Sequence, residues 1–586
     1  MGGTRVTRPP GAQIRHRQPA PGVGALPDDW PALLRRLYAA RGVTTAEALD
    51  YRLAALPPPA GLAGLEPAAQ ALAEAVVSNA RVLVVGDFDA DGATSTAVAV
   101  SALRAMGAGS VDYLVPNRFD FGYGLSPALV EVAQEYTPDL ILTVDNGISA
   151  NDGVEAANAA GIEVVVTDHH LPGAALPPAR AIVNPQVDSP AFGAPHLAGV
   201  GVCFYAMLAT RAALRERDWF GDTRPEPALV DQLDRVALGT IADVVPLDHV
   251  NRLLVDQGLR RIRGGRANPG TLALLEAAGR DPAITTATDL GFGAAPRLNA
   301  AGRLDDMSIG IETLLAADAP AAHRHAGRLE QLNRERRSLE QQMRDTAVAD
   351  IEAEAAAAEG DMAPILCLFN PDWHQGVVGI VASRLLARFR RPVIAFAPGD
   401  ADTLKGSARS VPGLHMRDLL DAVNTRSDGQ LVDRFGGHAM AAGLTLTRRH
   451  FEPFKALLIE QVRLRLGDEP VSEVIWTDGA LPADAYTLET AAMLRDAGPW
   501  GAEFPEPRFN DVFRVLDQRV VGDHHLKLAL SPEIAPSVRI DAIAFNAAPD
   551  VAVVPGDRVE AVFRLEVNRF RGVDRPQLVV DHLIEN

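Results

Sequence analysis

The chain has 586 residues, of which 47% are hydrophobic and 22% are charged, and its formal net charge is −19. This length predicts roughly three or four domains, and the balance excludes a wholly disordered, collagen-like or coiled-coil protein. Taken alone, the acidic net charge argues against a nucleic-acid-binding protein, which usually carries a basic surface.

The two cysteines and the N-terminus indicate the compartment. Cys203 and Cys367 each lie in an apolar run, which is typical of a reducing compartment without disulfides. The N-terminal segment contains arginines but no apolar core, so it does not resemble a secretory signal. No window approaches the ~20 apolar residues of a membrane helix. We therefore expect a cytoplasmic protein that makes no membrane contact.

The first half of the chain predicts a parallel sheet. Residues 1–28 are rich in Pro, Gly and Arg and predict a flexible tail, and a short amphipathic helix follows at 31–41. From about residue 67, helices alternate with apolar strands at 81–88, 111–116, 139–147 and 162–170. This alternation is typical of βαβ units. In such sheets, ligands bind beyond the carboxyl ends of the strands.

The second half predicts a different organisation. Residues 200–260 are mainly helical, and a long polar stretch around Ile309–Glu354 predicts a helix that joins two domains. A second α/β module runs from PILCLFN (364–370) to about residue 465. Five short strand patterns then suggest a small barrel of the OB type, a fold often used to hold single strands. A β-sandwich with a structural role remains an alternative for this last region.

Three carboxylates follow the first strand of the predicted sheet. Asp87, Asp89 and Asp91 alternate along the chain, so they can point to one side of an extended segment. Carboxylates that close repel one another unless a cation neutralises them. The spacing therefore predicts a metal site at this strand end.

The later strands end in further candidate ligands. Asp145 follows the strand ILTV, Asp168, His169 and His170 follow the strand VVVT, and Asp243 ends an apolar helical run. Imidazole and carboxylate together suit Mn, Zn or Fe better than Ca. The set is large enough for two metals, which can activate water and stabilise a leaving oxygen. No Walker A motif, Ser-His-Asp triad or Rossmann spacing is present, so the residues predict metal-dependent hydrolysis of a phosphoester or phosphoanhydride.

Several motifs together resemble a known superfamily. GDFDADG, TVDNG, TDHH and ADVVPL resemble the four motifs of the DHH phosphoesterases. FGGHAMAAG, preceded by GVVGIVASR and KGSARS, resembles the DHHA1 domain, and nearly the whole chain is similar to the RecJ family of exonucleases. The resemblance implies an α/β fold in which a parallel-sheet DHH domain is joined by a long helix to a smaller α/β DHHA1 domain, with a C-terminal OB-like barrel. The expected segments are 1–28 (tail), 29–308 (DHH domain), 309–358 (connecting helix), 359–467 (DHHA1 domain) and 468–586 (OB-like domain).

The resemblance also implies roles for the site residues. Two divalent ions, Mn²⁺ or Mg²⁺, would be held by Asp89, Asp91, Asp145, His169 and Asp243, with Asp145 bridging them. His170 would help to polarise the scissile phosphate, and Asp87 and Asp168 would orient the ligands.

A further set would hold the DNA strand. The expected nucleic-acid contacts are Arg118, Arg297, Asn299 and Arg303, with Ser407, Arg409, Gly436, Gly437 and His438 on the DHHA1 domain. Arg297 and Arg303 are expected in a Gly/Ala-rich turn, and the arginines would form a positive channel within an acidic protein. Phe119 and Tyr123 could act as a gate or stacking wall. Trp373 could equally stack on a base or pack at a helix start.

The implied activity is 5′–3′ digestion of single-stranded DNA to 5′-mononucleotides in recombination and repair. The implied partners are single-stranded DNA, a single-strand-binding protein and a RecQ-type helicase, and the implied state is a monomer. Three alternatives remain: an enzyme for short oligonucleotides or cyclic dinucleotides, a non-catalytic DNA-binding scaffold, and an inorganic pyrophosphatase.

Overall fold

The computed structural model describes residues 12–19, 26–117, 121, 124–357, 362–522, 524–548, 551 and 553–585. The chain divides into two compact units. The parallel-sheet unit comprises Pro19–Asn333 and Asp496–Glu506, and the barrel unit comprises the remaining described residues. No helix among the described residues is long and apolar enough to cross a bilayer.

The strands of the described residues are β1 (Gln13–His16), β2 (Arg81–Val85), β3 (Ser110–Leu114), β4 (Leu140–Val144), β5 (Glu163–Thr167), β6 (Ala181–Val183), β7 (Leu366–Phe369), β8 (Val393–Pro398), β9 (Thr403–Arg409), β10 (Arg434–Gly437), β11 (Ala441–Thr447), β12 (Val474–Thr477), β13 (Phe509–Val521), β14 (His525–Pro532), β15 (Ile540–Ala544), β16 (Arg558–Phe570) and β17 (Val573–Glu585).

The helices of the described residues are α1 (Ala32–Ala39), α2 (Leu65–Val77), α3 (Ala90–Ala105), α4 (Pro127–Ala133), α5 (Asn151–Ala159), α6 (Gly199–Glu216), α7 (Leu233–Asp243), α8 (His249–Arg263), α9 (Pro269–Ala277), α10 (Ala287–Asp289), α11 (Ala295–Leu304), α12 (Ser308–Leu315), α13 (Ala319–Ala357), α14 (Val378–Phe389), α15 (Met416–Arg426), α16 (Phe451–Leu466) and α17 (Leu488–Asp496).

The parallel-sheet unit contains a five-stranded sheet in the order β3-β2-β4-β5-β6, with every neighbouring pair parallel. Successive side chains of a strand point to opposite faces, and both faces are buried here. Val82 and Val84 pack into the core that contains α2, α3 and α6, whereas Leu83 and Val85 pack into the core that contains α4 and α5. Burial on both faces explains why the strands are continuous apolar runs.

The strand order reverses direction beside β2, because β3 pairs on one side of it and β4 on the other. The loops that leave β2 and β4 therefore diverge and leave a crevice at the carboxyl edge of the sheet. This topological switch point is where open α/β sheets bind their ligands. A second core packs the remaining helices, α7–α9 and α11–α13, against α3.

The barrel unit contains a mixed five-stranded sheet and a closed barrel. The sheet order is β10-β11-β9-β8-β7, in which only the pair β7–β8 is parallel. The barrel closes in the order β13-β14-β15-β17-β16. The second α/β module and the barrel expected from the sequence are both confirmed, which leaves no support for the sandwich alternative.

Three local expectations are wrong. Residues 13–16, expected within a flexible tail, form β1, which pairs in parallel with β12 and buries Ala12 against Ile475 and Val562. The helical stretch expected from residue 309 is broken between α12 and α13. The expected turn around Arg297 is a short π-helical segment, 290–294, followed by α11, because alanine and leucine are good helix formers that outweigh the glycines.

Candidate metal centre

Four segments of the parallel-sheet unit meet at the switch point. Three of these segments follow the strands β2, β4 and β5, and each carries predicted ligand residues. The fourth is the end of α7, whose last residue is Asp243. Three overlapping groups of possible ligand atoms lie there, the atoms of each group within 4.8 Å of one another. The groups are Asp87, Asp89 and Asp145; Asp91, His169 and Asp243; and Asp145, His169 and His170.

The carboxylates after β2 are fixed by the start of α3. Asp89 is the N-cap of this helix and accepts a hydrogen bond from Gly92 N at 3.0 Å. Asp91 is buried and accepts hydrogen bonds from the backbone N–H groups of Gly199 and Val200 at the start of α6, at 2.8 and 3.0 Å. These contacts fix the orientations of the Asp89 and Asp91 carboxylates at the start of α3.

Asp145 occupies an unusual backbone position for a non-glycine residue. Its φ is 62°, in the left-handed region that aspartate tolerates better than most residues. A Cβ atom on Gly199 would lie 2.3 Å from Asp145 Oδ1, so only glycine permits this approach. The buried Asn146 amide donates to the carbonyl oxygens of Val85 and Val144 at 3.0 and 2.9 Å, which ties the ends of β2 and β4 together.

His169 connects the groups. Its Nε2 atom lies 3.2 Å from Asp145 Oδ1 and 3.5 Å from Asp243 Oδ2. Burial and the neighbouring His170 lower the pKa of His169 to about 4, so the ring is neutral at pH 7. A neutral imidazole nitrogen among carboxylate oxygens is a ligand group and not a counter-charge.

The carboxylates of the cluster carry an unfavourable excess of negative charge. Burial, then repulsion from neighbouring aspartates, holds the pKa of Asp91 and of Asp145 well above the usual range. The same two causes raise the pKa of Asp243 to about 6. A bound cation would remove the free-energy cost of keeping these buried carboxylates ionised. Such a cost is typical of a metal site without its ion.

His170 and Asp168 form a separate pair beside the cluster. Asp168 Oδ1 lies 2.8 Å from His170 Nδ1, and Asp168 Oδ2 accepts a hydrogen bond from Ile148 N at 2.9 Å. Burial opposes protonation of His170, but the hydrogen bond and charge of Asp168 outweigh it and raise the pKa of His170 to about 9. Asp168 thus orients His170, and His170 carries a positive charge at pH 7.

The donor set fits divalent cations. It combines several carboxylate oxygens with one imidazole, and the buried His169 Nε2 makes no hydrogen bond with any described residue. Oxygen ligands with one nitrogen suit Mn²⁺ and Mg²⁺.

Comparisons with known proteins identify the same family along most of the chain. Family models match at residues 81–240 (DHH family, N-terminal domain), 363–464 (DHHA1 domain) and 477–582 (RecJ OB domain). The chain is 50% identical to the single-stranded-DNA-specific exonuclease RecJ of Dickeya dadantii, over 97% of this chain and 99% of that protein. It is 48% identical to RecJ of Escherichia coli, with coverage of 97% and 99%. The chain belongs to the RecJ family.

Solved structures support the same family and its cofactors. The fold is similar to that of RecJ from Thermus thermophilus in complex with Mn²⁺, with a TM-score of 0.78 and 31% identity over 98% of this chain and 80% of that chain. A structure of the same protein with Mg²⁺ gives a TM-score of 0.71 at 29% identity, with the same coverage. This relative therefore binds divalent cations, and the carboxylate and imidazole groups of this chain could hold ions of the same kind.

The residues expected to bind DNA near the cluster have different environments. Asn299 Oδ1 accepts a hydrogen bond from Ala90 N at 2.9 Å, so its side chain positions the start of α3. Arg303 is half-buried in the last turn of α11. Arg118, Phe119 and Tyr123 lie outside the described residues.

Arg297, another of the expected phosphate contacts, is engaged in contacts within the protein. Its side chain is only 9% exposed. The guanidinium donates to the carbonyl oxygens of Gly293 and Ala277 at 2.6 and 3.0 Å and pairs with Glu330 at 2.6 Å. It therefore ties the π-helical segment, α9 and α13 together, and a phosphate could reach it only if these contacts broke.

The DHHA1 candidates lie on or next to β9 and β10, the two strands that flank β11 in the mixed sheet of the barrel unit. Ser407 and Arg409 are on β9, Gly436 and Gly437 are on β10, and His438 follows β10 with its side chain exposed. Arg409 donates to Ser407 Oγ at 3.0 Å. Trp373 is 6% exposed, so the packing alternative is correct for it and the stacking alternative is not.

Sequence reasoning missed two glycines that make room for the ligands. A Cβ atom on Gly239 of α7 would meet Thr94 Oγ1 at 2.1 Å and Asp91 Oδ1 at 2.8 Å, and Gly199 meets Asp145 as described above. The available signal was glycine within two apolar helical runs, where it is unfavourable unless close packing requires it.

Proposed function

We propose that this chain is a single-strand-specific 5′–3′ DNA exonuclease that hydrolyses phosphodiester bonds and releases 5′-mononucleotides. The observation that carries the proposal is the cluster of buried carboxylates and one neutral imidazole at the switch point of a RecJ-family fold. Two Mn²⁺ or Mg²⁺ ions would be held by Asp89, Asp91, Asp145, His169 and Asp243. Asp145 and His169 each belong to two of the three ligand groups, and Asp145 is the bridging candidate because a carboxylate has two oxygens to offer.

When bound, the two cations supply an activated water and neutralise charge on the phosphate. The protein's own residues hold and polarise the substrate. His170, protonated at pH 7 because of Asp168, would donate a hydrogen bond to a non-bridging phosphate oxygen. Asp87, whose Oδ1 accepts from Phe88 N at 2.8 Å, would keep the loop after β2 in its ligating conformation.

A strand-binding strip is the second element of the proposal. Gly436 faces Gly443 across β10 and β11, and Gly443 faces Ser407 across β11 and β9. No atom lies within 4 Å of a Cβ built on either glycine, so the surface above them is open to a close backbone approach. Ser407, Arg409 and His438 would supply hydrogen bonds and charge to phosphates beside this strip.

Substitution of Gly443 tests the strip. A Cβ atom at Gly443 would meet no atom within 4 Å, and the residue lies in a strand, where valine is favoured, so Gly443→Val should fold. We expect its affinity for single-stranded DNA to fall roughly tenfold, equivalent to ~1.4 kcal/mol, as measured by fluorescence anisotropy. Gly327→Ala, at an open position on α13, is the matched control. Unchanged affinity in Gly443→Val would remove the strip from the proposal.

The barrel would hold longer strands. Pairing between β16 and β17 continues from Val567–Pro576 to Phe570–Val573, beyond the Gln577–Val579 segment that pairs with β15. This two-stranded ribbon carries the exposed side chains of Phe570, Arg571 and Arg575 near its turn. An exposed aromatic ring among arginines is a typical single-strand contact.

A ribbon variant separates this function from that of an enzyme for short oligonucleotides. Phe570→Ala with Arg571→Glu removes one stacking surface and reverses one charge. We expect at least ~5-fold weaker binding of a long single strand, measured at low salt, with unchanged cleavage of dinucleotides. Ile534→Ala, another exposed apolar position on the barrel unit, is the control. Equal digestion of long strands by both variants would favour the short-substrate alternative.

End-labelled DNA tests the activity itself. Single strands labelled at the 5′ or 3′ end are incubated with the full chain and Mn²⁺. Mononucleotides released from the 5′ label first, with duplex DNA left intact, would support the proposal. Release from the 3′ end or internal cuts would contradict it, and binding without hydrolysis would favour a scaffold.

The cellular role follows from the same proposal. The enzyme would act in the cytoplasm in DNA recombination and repair, as a monomer that works with a single-strand-binding protein and a RecQ-type helicase. A helicase supplies the unwound strand that such an exonuclease consumes.

A further inference from the structure

The most exposed apolar side chains of the parallel-sheet unit border the metal centre. Among its described residues, Phe292, Val244 and Leu171 are 71%, 67% and 63% exposed, whereas the other exposed large apolar side chains of the unit lie between 41% and 44%. Val244 directly follows Asp243, and Leu171 directly follows His170. Exposed apolar side chains that lie singly need no explanation, but a group at a functional site does.

Val244 is held in a conformation that valine disfavours. Its φ and ψ are 63° and 27°, in the left-handed region where a β-branched residue is a genuine outlier. Glycine or asparagine would fit this helix end without strain. The valine side chain is exposed, so burial within the unit does not offset the strain. Strain of this kind is found at ligand-binding positions.

Phe292 lies in the π-helical segment 290–294, between two glycines. A Cβ atom on Gly291 would lie 3.1 Å from Ile241 Cγ2, so the segment packs directly on α7. Ile241 lies in the last turn of α7, which Val244 directly follows. Phe292 and Val244 therefore flank the last turn of α7, the turn that carries Asp243. Irregular π turns of this type are frequent at functional sites.

We propose that Phe292 and Val244, with Leu171, form an apolar shelf that contacts the base of a nucleotide whose phosphate lies at the metal centre. This inference rests on the proposed function. A base is flat, uncharged and attached to the same nucleotide as the phosphate, so it can lie on apolar side chains beside an acidic cluster that would repel a second phosphate. The shelf contacts a π-face and not a base edge, so it would not discriminate among the four bases.

A protein partner is a poorer match for the same surface. Three side chains around one helix end offer far less than the ~800 Å² that each partner of a stable interface buries. The shelf is also continuous with the metal centre, where a docked protein would exclude the strand. The occupant is therefore the substrate itself.

Abasic substrates test the shelf. Asp145→Asn is introduced into every variant to prevent cleavage, and binding of the full chain to fluorescent single strands is measured by anisotropy. One strand carries all its bases, and the others each lack one base at a successive position from the 5′ end. Phe292→Ala should weaken binding of the complete strand by about 5- to 100-fold. The loss should vanish for the strand that lacks the base at the position above the shelf.

Three further variants sharpen the result. Val244→Gly removes a shelf side chain and relieves the strain, so it should weaken DNA binding without lowering the melting temperature. Tyr136→Ala removes a 41% exposed aromatic side chain near the start of β4, the opposite edge of the sheet, and should bind every strand normally. Phe292→Tyr keeps the ring and should restore binding.

The outcomes distinguish the two proposals. If Phe292→Ala loses equal affinity for the complete and all abasic strands, or loses none, the shelf is wrong while the exonuclease proposal stands. If the chain without any substitution fails to digest single-stranded DNA, the proposed function itself fails.

Discussion

Replacement of Asp145 by asparagine is expected to abolish hydrolysis while the parallel-sheet unit stays folded. Asp145 is buried and belongs to two of the three ligand groups, so its loss would affect both metal positions. The rate should fall at least ~10³-fold, the scale seen when an essential catalytic group is removed. Release of nucleotides from a labelled single strand measures this fall.

The same substitution should change stability in a way that depends on metal. Repulsion among buried carboxylates destabilises the metal-free protein. Without metal, the melting temperature of Asp145→Asn should therefore equal or exceed that of the unsubstituted protein. Added Mn²⁺ should raise the melting temperature of the unsubstituted protein, because a ligand that binds only the folded state stabilises it, and this rise should shrink in the variant. Asp112→Asn, at an exposed position of β3, is the control for both readouts. Full hydrolysis in Asp145→Asn would refute the metal-site assignment.

The pH dependence of the metal-free protein follows from the same cluster. The pKa of Asp243 is raised from 3.8 to about 6 in the folded state, so the folded protein binds this proton more tightly than the unfolded chain does. Stability should therefore increase as the pH falls from about 6 towards 4, and the full penalty is present above pH 6. The raised pKa values of Asp91 and Asp145 have the same effect on stability. Protons should compete with Mn²⁺ for the carboxylates of the cluster in this pH range.

Replacement of Arg297 by methionine is expected to destabilise the parallel-sheet unit without lowering the DNA affinity of the folded protein. The substitution removes the ion pair with Glu330 and two hydrogen bonds to backbone carbonyls. Loss of one partner of a buried ion pair typically costs about 3–5 kcal/mol. In urea, the unfolding transition that Mn²⁺ shifts in the unsubstituted protein is the transition of the parallel-sheet unit. The change in its midpoint in Arg297→Met measures the lost free energy of unfolding.

Arg303 provides the matched comparison for Arg297, since both lie on α11. Arg303→Ala should weaken single-strand binding and leave the Mn²⁺-sensitive transition in place. Arg297→Met combined with Glu330→Met should recover much of the lost stability, because an apolar pair can replace a buried ion pair. A stable Arg297→Met protein with weakened DNA binding would instead support a phosphate-binding role for Arg297.

The parallel sheet and the chemistry of the site could be predicted from the amino-acid sequence, whereas the C-terminal barrel could not be separated from a β-sandwich until its strand pairing was known. Apolar runs of strand length alternating with helices specify a parallel sheet, because both faces of such a sheet must be buried. Because parallel strands end at one edge, the aspartates after β2 and β4 and the histidines after β5 could be placed together without knowledge of the packing.

The roles of individual side chains depend on contacts that become visible only in the folded protein. Arg297 and Arg303 are indistinguishable in the sequence, but one is buried against Glu330 and the other is half-buried at the end of α11. Likewise, the proline- and arginine-rich start of the chain gave no sign that residues 13–16 would pair with β12. Pairing partners far apart in sequence leave no local pattern, because burial and hydrogen bonding depend on which distant elements the fold brings into contact.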